Sequence, residues 1–348
     1  MFEVENLIRQ KDIDEIASSE ILAQYKNKTL FITGATGLLG SEIVFALLCA
    51  NRLFEYNIKI IGLVRNIEKA KKIFSKVINN PNFELLVQDV NSQINYSAQV
   101  DFVIHTASVT SSKAFVEQPV ETIMTAINGT NNVLDFAKSK QASFIYLSSL
   151  EAYGNIVLKD GEYLPEDFSG DLASTSVRSS YPLSKKMSEN LCVAYASQYG
   201  LDVKIARLTQ TFGAGIEKSD NRMFAYFAKS ILNNENIVLH TTGKTVRNYC
   251  YITDAVIAIL TILINGASSQ VYNVANKSTT LSVKDIAQKL VSQKGLNVDF
   301  EIDNVNRGFN PIIKMPLDTT KLENLNWKAK VDLLEMFDRT ISYLKEEN

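Results

Sequence analysis

An α/β fold built on a doubly wound parallel sheet is the architecture this sequence predicts, and three observations predict it. Apolar stretches of strand length recur at residues 29–33, 58–64, 83–87, 100–104 and 143–147. Segments with helical spacing lie between them, and such alternation means right-handed parallel crossovers with helices on both faces of a sheet. The third observation is the set Gly34, Gly37 and Gly40 directly after the first stretch. It is followed by Leu38, Leu39, Ile43, Val44, Leu47 and Leu48 at helical intervals.

A strand that turns through glycines into a helix is a phosphate cradle. The glycines permit a tight turn and a close backbone approach, and the helix N-terminus offers free N–H groups and the positive end of its dipole. The cofactor candidates here are Gly34, Thr36, Gly37, Leu38, Leu39 and Gly40. The spacing is Gly-x-x-Gly-x-x-Gly, and the flanking strand and helix make the sheet Rossmann-type, with a dinucleotide, NAD or NADP, as the expected cofactor.

The 348 residues suit one large domain or two intimate ones, and the net charge of −2 implies no nucleic-acid partner. Cys49, Cys192 and Cys250 are few and unclustered, which suggests a reducing, cytoplasmic setting without a disulfide framework. His105 and His240 stand far apart with no cysteine pattern beside them, so no metal site is expected. No apolar stretch has the length of a membrane span. Residues 1–28 mix Leu7, Ile8, Ile13, Ile16, Ile21 and Leu22 with charges. They read as one or two amphipathic helices packed on the main body, or as a loosely held arm.

The second strand ends at Arg65 and Asn66, where an acid usually receives the ribose 2′-hydroxyl of NAD. Arg65 favours NADP through a 2′-phosphate; the alternative is Arg65 stacked on adenine with Asn66 on the ribose. A lysine-rich helix is expected to run on to Ile78. Asp89 and Val90 follow the third strand, and the carboxylate can hold the adenine amino group. The fourth strand opens into His105-Thr106-Ala107-Ser108. Thr106, Ala107 and Ser108 are small enough for the backbone to lie along a cofactor, while His105 reads as a satisfied structural histidine rather than a catalyst.

The chemistry is expected after the fifth strand, since ligands of open α/β sheets bind beyond the C-terminal strand ends. Ser148-Ser149-Leu150-Glu151-Ala152-Tyr153-Gly154 stands there. Further on, Arg178-Ser179-Ser180-Tyr181-Pro182-Leu183-Ser184-Lys185 opens a helix, with Pro182 suited to its first turn. Tyr181 and Lys185, four apart, share one face. The ammonium is expected to lower the phenol pKa and make Tyr181 a base, with Ser149 bonded to the same substrate hydroxyl.

These motifs resemble the extended short-chain dehydrogenase/reductases that act on nucleotide sugars, over nearly the whole chain from Lys28. The shared features are the turn at residues 33–40, the Tyr181/Lys185 pair, Ala206-Arg207-Leu208-Thr209-Gln210-Thr211-Phe212-Gly213 and Arg247-Asn248-Tyr249-Cys250-Tyr251-Ile252-Thr253-Asp254. Arg178 and Glu151 are similar to residues of the UDP-glucuronate decarboxylase subgroup. The resemblance implies Ser149, Glu151, Tyr181 and Lys185 as catalytic residues, and Tyr181 and Lys185 at the cofactor as well. It implies Ser149, Arg178, Gln210, Arg222 and Arg247 around a nucleotide-diphosphate sugar. Leu150 stands where dehydratases carry a proton-donating Asp, and Gln210 replaces a common Asn. On that basis a C4 epimerase ranks first, a decarboxylase second and a 4,6-dehydratase third; a non-catalytic NAD(P)-binding sensor or scaffold is the alternative of another class. Residues 29–208 are expected to form the Rossmann part. Residues 209–348 should form mainly a smaller α/β substrate-binding domain, interleaved with it. Asp254 or Thr253 should cap a helix, Trp327 should anchor the core, and pairing through the helices near 120–138 and 181–199 suggests a homodimer.

Overall fold

The structure is a computed structural model that describes residues 3–109, 112–292, 294–302 and 313–347. Six strands alternate with helices through the first part of the chain: β1 Thr29–Thr33, β2 Lys59–Val64, β3 Phe83–Val87, β4 Phe102–His105, β5 Ser143–Ser149 and β6 Val203–Leu208. The helices among them are α1 Leu7–Ala17, α2 Leu38–Phe54, α3 Ile67–Ile73, α4 Ser112–Glu117, α5 Pro119–Lys140 and α6 Ser180–Tyr199. The later elements are β7 Gln210–Phe212, α7 Met223–Leu232, β8 Ile237–Leu239, β9 Val246–Tyr251, α8 Ile252–Asn265, β10 Gln270–Val274, β11 Asn276–Ser282, α9 Val283–Ser292, β12 Val298–Phe300, α10 Thr320–Glu323 and α11 Leu333–Glu346.

The main sheet has the order β3-β2-β1-β4-β5-β6-β10, and all its pairs are parallel. Its strands read as near-continuous apolar runs because helices cover both faces. The register sets Thr33 beside Leu63 on one side and His105 on the other. The exits of β1, β2 and β4 therefore open on one edge. β10 comes from the region expected to serve the substrate, yet it closes the far edge of this sheet. β7, β9 and β11 form a second, small sheet. The lysine-rich helix stops at Ile73 rather than Ile78. Phe74 turns inward there, its ring 5.4 Å from Phe45 and 4.9 Å from Phe83.

Helix α2 is buried without interruption from Gly40 to Ala50. A helix apolar all round needs cover on its outer side, and α1 supplies it. The N-terminal segment is thus packed, not loose. Arg9 pairs with Glu42 at 2.5 Å and bonds Ser41. Tyr251 donates to Asp12 at 2.6 Å, and Arg339 of α11 reaches Asp12 and Glu15. Burial pushes Glu42 from 4.5 up to about 7, against the pull of Arg9 and with a push from Asp12. A carboxyl with a raised folded-state pKa keeps a proton the unfolded chain has lost, so stability falls as pH rises from about 4.5 to 7. In Tm measured against pH, Glu42→Gln should lack that part of the fall; a slope equal to the parent's refutes the assignment.

The C-terminal segment is anchored where the sequence suggested, with one correction. Trp327 is buried and its indole N–H donates to the Asp254 carbonyl at 3.1 Å. The Asp254 carboxylate does not cap its own helix. It accepts the backbone N–H groups of Lys330 and Val331, each at 3.0 Å. Helix α8 starts from Tyr251 with no side-chain cap, and Thr253 Oγ1 is buried without a partner. Ser282 and Asp285 exchange hydrogen bonds at the start of α9, as helix-starting pairs do.

Candidate active site

The glycine turn is shaped by contacts that leave no room for side chains. Gly34 has φ +65°, and a Cβ there would stand 2.6 Å from Thr106 Oγ1 and 2.8 Å from the Ala107 nitrogen. A Cβ on Gly40 would run into the Gly34 carbonyl oxygen. Thr106 donates to the Thr33 carbonyl at 2.7 Å, and the Ala107 N–H donates to Thr33 Oγ1 at 3.2 Å. The β4 exit is thereby stitched to the turn. Gly37 begins α2 with no side-chain cap, so N–H groups of the first turn remain for an anion. Thr36, Leu38, Leu39 and Ser108 are half-buried around this opening. The donor set fits the pyrophosphate of a dinucleotide.

Arg65 and Asn66 are exposed at the β2 exit. Asn66 is spent partly on structure, because its side-chain oxygen accepts the Lys69 N–H at 2.9 Å and caps α3. Asp89 accepts the Asn91 N–H through one oxygen, leaving the other. Val90 is buried against Gly129. His105 lies between Thr33 Oγ1 at 2.7 Å and Thr130 Oγ1 at 3.2 Å. Burial, with Lys185 adding to it, pulls its pKa down to about 3, so the ring is neutral and structural.

Beyond β5 the expected side chains converge. Ser149 accepts the Glu151 N–H at 3.2 Å and hydrogen-bonds Tyr181. Arg178 Nη2 lies 3.4 Å from Glu151. Lys185 is buried and donates to the Leu147 carbonyl at 2.8 Å, with its Nζ 5.8 Å from the Tyr181 ring centre. Burial pulls Lys185 down to about 8, while Glu189 holds it up. The phenol behaves differently from expectation. Burial pushes Tyr181 well above its ordinary value and Glu151 adds to the rise; the Ser149 bond, Arg178 and Arg222 pull it back. The neighbouring cation is visible in the sequence, whereas desolvation of the phenol arises only in the packed fold.

The remaining candidates are spread around this centre. Arg222 acts on Tyr181 through its charge but is already paired to Asp220 at 2.5 Å. Gln210 starts β7 opposite Tyr249, and Arg247 lies two residues before Tyr249 on β9. Leu150 is 4 % exposed and packs in a satellite core with Tyr153, Ile156, Leu164, Met315 and Leu317. Its aliphatic identity follows from that packing. Sequence reasoning missed two groups. Phe115 stacks on Tyr181. Glu189 accepts Ser148 Oγ at 2.5 Å and pairs with Arg207 in a bidentate bridge beneath Lys185. The four-residue step from Lys185 to Glu189 was a usable signal; nothing local marks Phe115.

The sequence model of the NAD dependent epimerase/dehydratase family matches residues 30–275. UDP-glucuronic acid decarboxylase 5 of Arabidopsis thaliana is 29 % identical over 313 residues, 89 % of this chain and 87 % of that protein. UDP-glucuronic acid decarboxylase 1 of Danio rerio is 28 % identical over 336 residues, 94 % of this chain and 75 % of that protein. Among solved structures, UDP-glucuronic acid 4-epimerase from Bacillus cereus in complex with NAD superposes with a TM-score of 0.74 at 20 % identity, covering 92 % of this chain and 99 % of its own. The dTDP-glucose 4,6-dehydratase of Streptomyces venezuelae gives 0.75 at 22 %, covering 91 % and 97 %. At those identities the superpositions speak for the fold. The glycine cradle, the parallel sheet and a family match across most of the chain agree, and this enzyme belongs to the NAD dependent epimerase/dehydratase family.

Proposed function

We propose that the protein decarboxylates UDP-glucuronate through a 4-keto sugar, using NAD(P) that returns to its starting state. The observation that carries this is the charge set around Tyr181: the Glu151–Arg178 pair, with Arg178 and Arg222 both acting on the phenol. Two guanidinium groups suit a sugar that bears a carboxylate beside the reacting carbon. The relatives named UDP-glucuronic acid decarboxylases support the same choice over the C4 epimerase that the sequence ranked first. The satellite-core position of Leu150 leaves Glu151 as the carboxylate of the turn after β5.

In this reading the glycine turn and the start of α2 hold the pyrophosphate, and Arg65 and Asp89 hold the adenosine end. A bound NAD(P) supplies the hydride acceptor and donor. Tyr181 takes the proton of the C4 hydroxyl and Ser149 bonds the same oxygen. Arg178 and Arg222 orient the substrate carboxylate, and Glu151 supplies the proton that C5 gains once CO2 has left. Arg247 and Gln210 face the diphosphate from the small sheet.

Incubation with UDP-glucuronate should release CO2 and a UDP-pentose without net consumption of NAD(P). Glu151→Gln should slow that release by about 10²-fold or more. UDP-galacturonate formed without CO2 would restore the epimerase order instead. For the cofactor, Arg65 is exposed and has no ion-pair partner among the described residues, which supports NADP over NAD. Arg65→Asp should reverse the preference, since one charge-assisted contact contributes about 1.5–3 kcal/mol. Equal affinities in the parent, read by calorimetry, would remove the NADP choice. We also propose a homodimer through α5 and α6, where Val120, Ile123, Met124 and Met187 are exposed; a monomeric mass in solution refutes it. No described helix is long and apolar enough to cross a membrane.

A further inference from the structure

We infer that Phe115 is a positioning residue of this site: its ring, laid flat against Tyr181 and close under the Arg178 guanidinium, sets the plane of the phenol and the aim of that charge. The inference rests on the reading of Tyr181 as the group that takes the C4 proton. Phe115 comes from α4, outside every motif that marks the site. It is 2 % exposed. Its ring centre lies 4.1 Å from that of Tyr181, with 8° between the planes. The Arg178 Cζ lies 5.3 Å from the same ring centre. A second contact holds α4 in place: Ser180 Oγ, next to Tyr181, donates to the Phe115 carbonyl at 2.8 Å.

The physical consequence follows from the phenol itself. The oxygen lone pair conjugates with the ring, so the hydroxyl hydrogen lies near the ring plane. Fixing that plane fixes the direction in which the proton leaves and returns. Face-to-face packing also stops the ring from tilting toward α4 and shields one face from water, a part of the burial that raises Tyr181. Arg178 gains a cation–π neighbour on its way to Glu151. One apolar side chain thus orders two of the charged or ionisable groups.

The test is steady-state kinetics on the full chain with NAD(P) and UDP-glucuronate, for Phe115→Leu and Phe115→Tyr. Phe115→Leu keeps an apolar filling without a flat face. Its kcat should fall about 10–100-fold, as small misplacements of reacting groups do, with KM within about threefold of the parent. The acid limb of kcat against pH should move to lower pH, because water reaches the phenol. Phe115→Tyr keeps the ring and should retain most of kcat. If Phe115→Leu does not fold, as judged by Tm, Phe115→Met takes its place. Parental kcat and acid limb in the ringless variant overturn the inference, as does a Phe115→Tyr variant as slow as Phe115→Leu. Parental turnover in Tyr181→Phe would overturn the site reading and this inference together, so the two failures are distinguishable.

Discussion

Tyr181→Phe should fold, bind NAD as tightly as the parent and lose about 10²–10⁴ of its turnover. The substitution removes one oxygen from a side chain that is nearly buried and already packed face to face with Phe115, so the core keeps its shape. What disappears is a hydroxyl that bonds Ser149 and stands on the Lys185 face of α6. The raised pKa of Tyr181 sharpens the expectation. A phenol held above its ordinary value is protonated at neutral pH, and the positive charge needed to make it a base must come from its neighbours. Lys185, pulled down to about 8 by burial, carries its charge below that pH and loses it above. Lys185→Met should therefore lower activity and move the acid limb of kcat to higher pH. Single-turnover rates with UDP-glucuronate measure both variants; a Tyr181→Phe rate near the parent's removes the tyrosine from the reaction.

Gly40→Val should cost the protein its cofactor. A Cβ on Gly40 would collide with the Gly34 carbonyl oxygen and press on the Ala35 α-carbon at 3.0 Å. Neither is the end of a flexible side chain. Gly34 cannot yield either, because it holds φ +65° with Thr106 and Ala107 directly behind it. The turn must open, and the N–H groups at the start of α2 must move off the position proposed for the pyrophosphate. Overpacking of this kind costs about 1–3 kcal/mol, and a branched side chain against backbone lies at the upper end. NAD(P) affinity should fall about 100-fold, with a lower Tm. Titration calorimetry decides it: a parental Kd in a folded Gly40→Val protein would place the dinucleotide elsewhere.

Much of the site was legible before any coordinates. Strand lengths, the glycine turn and the four-residue step from Tyr181 to Lys185 are local signals, and each appears as expected in β1, α2 and α6. Boundaries drifted where side chains decided them, as when Phe74 turned into the core and ended α3. Nothing local marks the edge strand β10 as part of the main sheet, since its pairing with β6 joins Gln270 to the distant Lys204.

The sequence by itself determined the sheet of parallel strands, the glycine turn into α2 and the nearness of Ser149, Tyr181 and Lys185, because periodicity, glycine conformation and helix geometry act over a few residues. Only the tertiary structure decided the Phe115 stack, the Glu189–Arg207 bridge, the docking of α1 through Arg9 and Asp12, and the fate of Asp254. It also decided the sign of the Tyr181 shift. Those outcomes depend on which distant side chains exclude water from a group. Desolvation belongs to the packed interior and has no period along the chain.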